Sequence, residues 1–273
     1  MRTRADVEAH IRATPIKGSP AERRAAFRAL AGYGPHGDAL VLGGVPARAF
    51  GAGPPVLWLH GGGYMFGDST SHAACAADLA HMSGHRVIVP DYRCAPEHVW
   101  PAPRDDALAV LEEVGMDTPL VGDSAGGHLA LVLATQTRAT PRSVALISPN
   151  TDRTGLSTTR GPNSATDLMN DDKTDRILAK IAFGTRPLKD PQVSPLFGDL
   201  SRLPPTYLTA SDAEVLAGDS TLLHDAARAQ GADITLAWVT GLFHMWTLWP
   251  AALPEARHTL SRIAEHIKKH RPK

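Results

Sequence analysis

Cysteine is scarce: Cys75 and Cys94 are the only two in 273 residues. A disulfide framework is therefore excluded, and neither lies in a Cys/His cluster with zinc-ligand spacing. Both read as small hydrophobes of the core rather than as redox groups. Neither sign of charge is in surplus, since 28 Lys and Arg cancel 28 Asp and Glu. No global field is left to gather nucleic acid or an anionic membrane surface, so a neutral or locally steered substrate is expected. Long apolar runs are missing too, and nothing approaches the roughly 20 residues that span a bilayer. The start, Met1-Arg2-Thr3-Arg4-Ala5-Asp6, enters a charged helix pattern without the apolar stretch of a signal peptide. A soluble, cytoplasmic protein with no membrane partner is expected. The 13 histidines are scattered with no His-Glu-x-x-His pair, so no metal or other cofactor is expected.

What is present is an alternation of β-type and helical runs. Strand patterns cover Val56 to His60, Arg86 to Pro90, Pro119 to Asp123, Ser143 to Ser148, Thr206 to Ala210 and Ile234 to Val239. Helix patterns cover Ser71 to Ser83, Asp105 to Val114, Ala125 to Arg138, Ser220 to Gln230 and Glu255 to His270. This is the βαβ rhythm of a mostly parallel sheet with helices on both faces. Ahead of it lie two charged helix patterns, Asp6 to Ala13 and Ala21 to Leu30. The second opens on Ser19-Pro20-Ala21-Glu22, a capping box with proline at the first helical position. Short apolar runs between Ala39 and Phe50 flank Gly43-Gly44 and suggest a hairpin. The rhythm breaks from Asn150 to Ser201, where one helical piece, Lys173 to Phe183, stands among Gly, Pro and Asp/Asn clusters. Such an excursion reads as a lid or substrate wall on a single domain, with residues 1–35 as a small cap.

Gly122-Asp123-Ser124-Ala125-Gly126 satisfies G-x-S-x-G between a strand and a helix. That setting makes Ser124 a candidate nucleophile, because the turn is so sharp that only small residues fit around it. The following helix aims its free N–H groups at the serine and favours developing negative charge. A capping serine in a glycine-rich turn is the plainer reading of the five residues alone. A second motif favours chemistry: His60-Gly61-Gly62-Gly63 follows the first long apolar strand, where oxyanion-hole donors are expected. The N–H groups of Gly62, Gly63 and Ala125 are the candidate donors. His60 is read as shaping the loop through hydrogen bonds rather than as a base.

With these residues in hand, the sequence resembles the bacterial hormone-sensitive lipase family of esterases. The likeness is carried by His60-Gly61-Gly62-Gly63, by Gly122-Asp123-Ser124-Ala125-Gly126-Gly127, and by Asp91-Tyr92-Arg93-Cys94-Ala95-Pro96-Glu97-His98 between them. The last is similar to the family's D-Y-R-L-A-P-E-H, with Cys94 in place of leucine. Ser194-Pro195-Leu196 and Leu203-Pro204-Pro205-Thr206 also fit. The resemblance is weakest over residues 150 to 190. It implies an α/β-hydrolase fold, a small N-terminal cap, no cofactor, action on short-chain esters, and a homodimer formed through the last strand and helix.

Chain order in this fold is serine, acid, histidine, and His244 follows the last β-like run as the candidate base. For the acid, Asp212 and Glu214 both follow the strand ending at Ala210. Family members commonly place the acid directly before x-Leu, as Glu214-Val215-Leu216 does, so Glu214 is preferred and Asp212 is left to cap the next helix. Tyr64, Met65 and Phe66 after the oxyanion loop, with Met245, Trp246 and Trp249 after His244, are candidate pocket walls. Each could equally belong to the core. Tyr64, Phe66, Met245 and Trp246 are the choices for substrate contact. The expected activity is carboxylesterase, against which stand a lactonase or arylformamidase on the same site and a non-catalytic ligand-binding member of the fold. Gibberellin receptors look similar but lack the histidine, whereas here Ser124, Glu214 and His244 are all present.

Overall fold

The structure is a computed structural model and describes residues 1–32 and 34–271. Helices α1 (Arg4–Ala13) and α2 (Pro20–Ala31) both open with reciprocal capping boxes, Thr3 with Asp6 and Ser19 with Glu22. These satisfy N–H groups that a short charged helix would otherwise leave to water. The hairpin follows as β1 (Asp38–Leu42) and β2 (Val45–Phe50), turning at Gly43 and Gly44, which both take positive φ. Then come β3 (Pro55–Leu59), α3 (Ala73–Ser83), β4 (Arg86–Pro90), α4 (Ala102–Val114), β5 (Leu120–Asp123), α5 (Ala125–Gln136) and β6 (Val144–Ile147). After the break in rhythm, α6 (Arg160–Asn163) and α7 (Asp172–Phe183) precede β7 (Thr206–Ser211), α8 (Ala217–Ala229), β8 (Ile234–Val239) and α9 (Pro254–Lys269).

The eight strands form one sheet in the order β1-β2-β4-β3-β5-β6-β7-β8. Only the hairpin runs antiparallel, β2 to both β1 and β4, and every pair from β4 to β8 is parallel. Period-two alternation sends neighbouring side chains to opposite faces. Leu57, Leu59, Leu120, Val144 and Leu146 join α4, α5 and α8 in one core, while Val56, Trp58, Val121, Ala145 and Ile147 join α1, α2, α3 and α9 in the other. The fold is the α/β-hydrolase fold that the sequence implies.

The expected elements are present, with shifted ends. Helix α4 begins three residues before Asp105 because Pro103 lies in its first turn, where a missing N–H costs nothing. Helix α6, four residues containing Gly161 and Pro162, carries too little pattern to be expected. Cys75 is buried but Cys94 is only half-buried, a partial correction to the reading of both as core. Among the described residues no helix is long and apolar enough to cross a membrane.

Candidate active site

Ser124 sits between β5 and α5 with φ 54° and ψ −118°, a conformation that costs a non-glycine residue free energy and persists only when its surroundings enforce it. Its N–H donates to Ile147 O at 2.9 Å, and its carbonyl accepts from His128 N–H at 3.1 Å and Asn150 N–H at 3.2 Å. A Cβ on Gly122 would lie 2.3 Å from Gly126 O, and one on Gly126 would lie 1.9 Å from Leu59 O. Glycine is therefore required at both positions for β3, β5 and α5 to meet behind the serine.

His244 stands after β8 and turns its ring toward both partners. Nε2 lies 2.8 Å from Ser124 Oγ and Nδ1 lies 2.7 Å from Glu214 Oε2. Since a carboxylate only accepts, Nδ1 carries the proton and Nε2 is left to accept from the serine hydroxyl. Burial pulls the imidazole pKa down, but the hydrogen bond and charge of Glu214, joined by Asp167 and Asp123, outweigh it and hold the ring above the usual histidine value. Glu214 is fully buried, with its other oxygen, Oε1, accepting from Ser148 Oγ at 2.5 Å and Ser211 N–H at 3.0 Å. Asp212 points elsewhere. It is exposed and accepts from Gly241 N–H at 2.6 Å, and the N-cap of α8 is Leu216, with no side-chain cap bond, so the expected capping role is corrected.

The glycine loop is fastened to the nucleophile turn by Asp123. Its Oδ2 accepts from Gly61 N–H at 3.1 Å and faces His72 Nε2 at 3.2 Å, and Oδ1 accepts from Trp58 Nε1–H at 2.8 Å. Gly62 and Gly63 both have positive φ, 120° and 61°, and a Cβ on Gly62 would lie 2.1 Å from Phe66 O. Among the described residues the N–H groups of Gly62, Gly63 and Ala125 meet no protein acceptor. His60 is wholly buried and stacks on Tyr92, with ring centroids 4.0 Å apart, while Nδ1 faces Gly61 O at 2.9 Å. Burial, aided by the neighbouring His72, pushes its pKa down to about 4. A neutral, stacked imidazole facing its own loop suits the shaping role expected of it.

The four expected substrate contacts divide. Phe66 is half-buried and meets Phe27 of α2, centroid to centroid at 5.0 Å. Met245 is buried with its methyl against Gly61, between the base loop and the oxyanion loop. Tyr64 and Trp246 are at most 1% exposed, which corrects their placement on a pocket wall. The Tyr64 hydroxyl is hydrogen-bonded to His128 Nδ1 at 2.6 Å among Trp100 and Phe183, and Trp246 donates from Nε1 to Thr259 at 3.3 Å. Met65 and Trp249 are also buried. An aromatic ring one or two places from a loop motif cannot be told from a core ring by sequence alone, because both need the same residue type.

Ser124 itself is only 8% exposed. A cavity of about 300 Å³ opens beside α7, lined by Asp152, Arg153, Ala179, Phe183 and Leu188 among others, but by none of Ser124, Glu214 and His244. Sequence reading missed Ser148, Ser211 and Asp167, the polar groups around the acid and base. A serine just past β6 at the sheet's C-terminal edge was the available signal, and Ser148 has a positive φ of 47°.

A family model described as alpha/beta hydrolase fold matches residues 56–248. The chain is 32% identical over 265 residues to an acetyl-hydrolase of Streptomyces hygroscopicus, covering 89% of this chain and 88% of that protein. An esterase of Acinetobacter venetianus is 32% identical over 221 residues, 77% of this chain and 73% of its own. Among solved structures, an esterase from the bacterial hormone-sensitive lipase family superimposes with a TM-score of 0.91 at 28% identity, covering 97% of both chains. The chain belongs to the α/β-hydrolase family, as a member of its bacterial hormone-sensitive lipase group of esterases.

Proposed function

We propose that the protein is a serine carboxylesterase acting on short-chain carboxylic esters through Ser124, His244 and Glu214. The observation that carries this reading is the unbroken hydrogen-bond chain from Ser124 Oγ through both nitrogens of His244 to Glu214. Ser124 Oγ attacks the ester carbonyl as its proton passes to His244 Nε2, and Glu214 stabilises the imidazolium that forms. The carbonyl oxygen, now anionic, takes the N–H groups of Gly62, Gly63 and Ala125, each worth on the order of a hundred- to a thousand-fold in rate. The imidazolium returns the proton to the departing alcohol, leaving an acyl-serine. Water, deprotonated by the same histidine, then releases the acid and restores the hydroxyl.

The acetyl-hydrolase among the relatives supports short acyl groups. Helices α1 and α2 serve as the cap, with Arg24 donating to Met65 O and Ala95 O beside the oxyanion loop. A second copy of the chain docks on the open edge of β8, where Trp238 is 47% exposed; light scattering of Trp238→Lys, expected to be monomeric, checks this. The half-buried free thiol of Cys94 suits the cytoplasm.

The test is labelling with a fluorophosphonate and mapping by mass spectrometry, together with turnover of p-nitrophenyl esters from acetate to dodecanoate. A phosphonyl group on Ser124, no turnover by Ser124→Ala, and a rate falling with acyl length are expected. Labelling elsewhere, or turnover by Ser124→Ala at the wild-type rate, would sink the reading.

A further inference from the structure

The Asn150–Ser201 excursion meets the acid and base loops through one short piece of itself. Thr159 Oγ donates to Val215 O at 2.9 Å and accepts from Gly218 N–H at 2.8 Å. Asn163 Nδ2 donates to Glu214 O at 2.8 Å and Asp212 O at 3.3 Å. Asp167 Oδ2 accepts from Val215 N–H at 3.0 Å, and its Oδ1 accepts from His244 N–H, also at 3.0 Å. Of the three side chains, Asp167 is the one that reaches both loops. Strands β7 and β8 are paired as far as Ser211 and Val239, and Ser211 and Asp212 tie the strand ends to Leu242 and Gly241. Past those ties, Asp167 joins the backbone of the acid turn to that of His244 itself.

The piece is anchored from behind. Arg160, 4% exposed at its side chain, binds Asp219 of α8 at 2.7 Å and Asp175 of α7 at 2.6 Å. A segment so held is a rigid mount, and a catalytic constellation needs its supporting groups fixed to within a fraction of an ångström.

We infer that Thr159 to Asp167 form a clasp that keeps Glu214 and His244 in register, with Asp167 as the positioning residue that joins them. The inference rests on the catalytic reading of Ser124, Glu214 and His244 given above. A carboxylate in this place does two things that another hydrogen-bond acceptor would not do together. It takes both loop N–H groups at once, one on each oxygen, and it sets a negative charge beside an imidazole that becomes a cation during the reaction. The charged groups bearing on that ring are Glu214 from the β7–α8 turn, Asp167 from the clasp and Asp123 from the end of β5.

The experiment compares Asp167→Ala, Asp167→Asn and Asn163→Ala with the wild type for kcat and KM on p-nitrophenyl acetate and for kcat/KM across pH. Thermal unfolding followed by circular dichroism controls for folding, and Ser124→Ala and His244→Asn run alongside. Asp167→Ala is expected to lower kcat on the order of a hundred-fold, the effect of a small misplacement of reacting groups, with KM within about threefold. Its acid limb of kcat/KM moves to lower pH, because the charge favouring the imidazolium is gone. Asp167→Asn, nearly the same shape, loses less rate but moves the limb in the same direction, whereas Asn163→Ala leaves the limb in place. The clasp is overturned if the folded Asp167 variants keep wild-type kcat, or if Asp167→Asn keeps the wild-type acid limb. Failure of the catalytic reading looks different: His244→Asn and Ser124→Ala would then retain turnover whatever Asp167 does.

Discussion

The half of the site around Ser124 and the half around Glu214 and His244 are made of different material. Around the serine the work falls to backbone: glycines where a Cβ would strike Leu59 O, Phe66 O or Gly126 O, and N–H groups that meet no protein acceptor among the described residues. Around the acid and base candidates it falls to side chains, with Ser148, Asn163 and Asp167 on Glu214 and His244, the Ser211 hydroxyl on the Leu242 backbone, and Arg160 with its aspartates behind them. A backbone site tolerates no added atoms, while a side-chain site tolerates no missing charge. The two halves should therefore break under opposite kinds of substitution.

The largest effect is expected on the side-chain half. Glu214→Gln removes the charge that stabilises the imidazolium and can turn a donor toward Nδ1, so kcat should fall about 10⁴-fold. Asp212→Asn, at an exposed carboxylate two residues away, should change kcat within about threefold. Steady-state kinetics of the two variants measure this, and a greater loss from Asp212→Asn would move the acid to that residue.

Next comes the anchor of the same half. Arg160 gives its guanidinium to Asp219, Asp175, Asn150 and the Asp152 carbonyl. Burial pushes the Asp175 carboxyl up, but Arg153 and Arg160 overcome it and pull its pKa down to about 2. Arg160→Met leaves two buried carboxylates short of a partner, a loss of roughly 3–5 kcal/mol. Urea unfolding at neutral pH should show that loss, and an unchanged midpoint would mean that the network does not hold the excursion. On the backbone half, Gly62→Ala adds one carbon where φ is 120° and Phe66 O is 2.1 Å away. A loss of about 10²–10³-fold in kcat is expected as an oxyanion donor is displaced, and wild-type turnover would remove Gly62 from the oxyanion hole.

The same contrast explains what could be read in the chain beforehand. Gly122, Gly126 and the run from Gly61 to Gly63 are legible because a missing side chain is a local constraint written within a few residues of the serine. The strands were legible for a related reason, since burial on both faces demands an apolar run in one place. Arg160 with Asp219 is 59 residues apart, and Asp167 with the His244 backbone is 77. Nothing local distinguishes those aspartates from solvated ones, so their pairing emerged only with the fold. Glu214 lay between these cases: two carboxylates followed β7, and a family register, not a physical pattern, favoured one. Tyr64 and Trp246 were misplaced because adjacency to a motif says nothing about which way a buried ring points.

The smallest effect tests whether the backbone half carries a hidden titration of its own. His60 stands under the oxyanion loop and His128 in the first turns of α5, both wholly buried. Burial, aided by His72 for one and by the Arg153 guanidinium for the other, lowers their pKa values to about 4 and about 3. In the unfolded chain each would take a proton near the ordinary histidine value of about 6.5. Below that pH the unfolded state binds more protons than the folded one, so stability falls as pH falls. The loss runs at roughly 1.4 kcal/mol per pH unit for each ring, ending near pH 4 for His60 and near pH 3 for His128. Unfolding free energies from urea titrations between pH 7 and pH 4 should fall as pH falls, with His60 and His128 each contributing this slope and His266, also pulled down to about 4, adding to it. His128→Gln, which has no proton to gain, should flatten the slope by the share of one ring, although it loses some stability at pH 7. If the slope is the same in both proteins, His128 is already protonated in the fold, and its Nδ1–H donates to the Tyr64 hydroxyl.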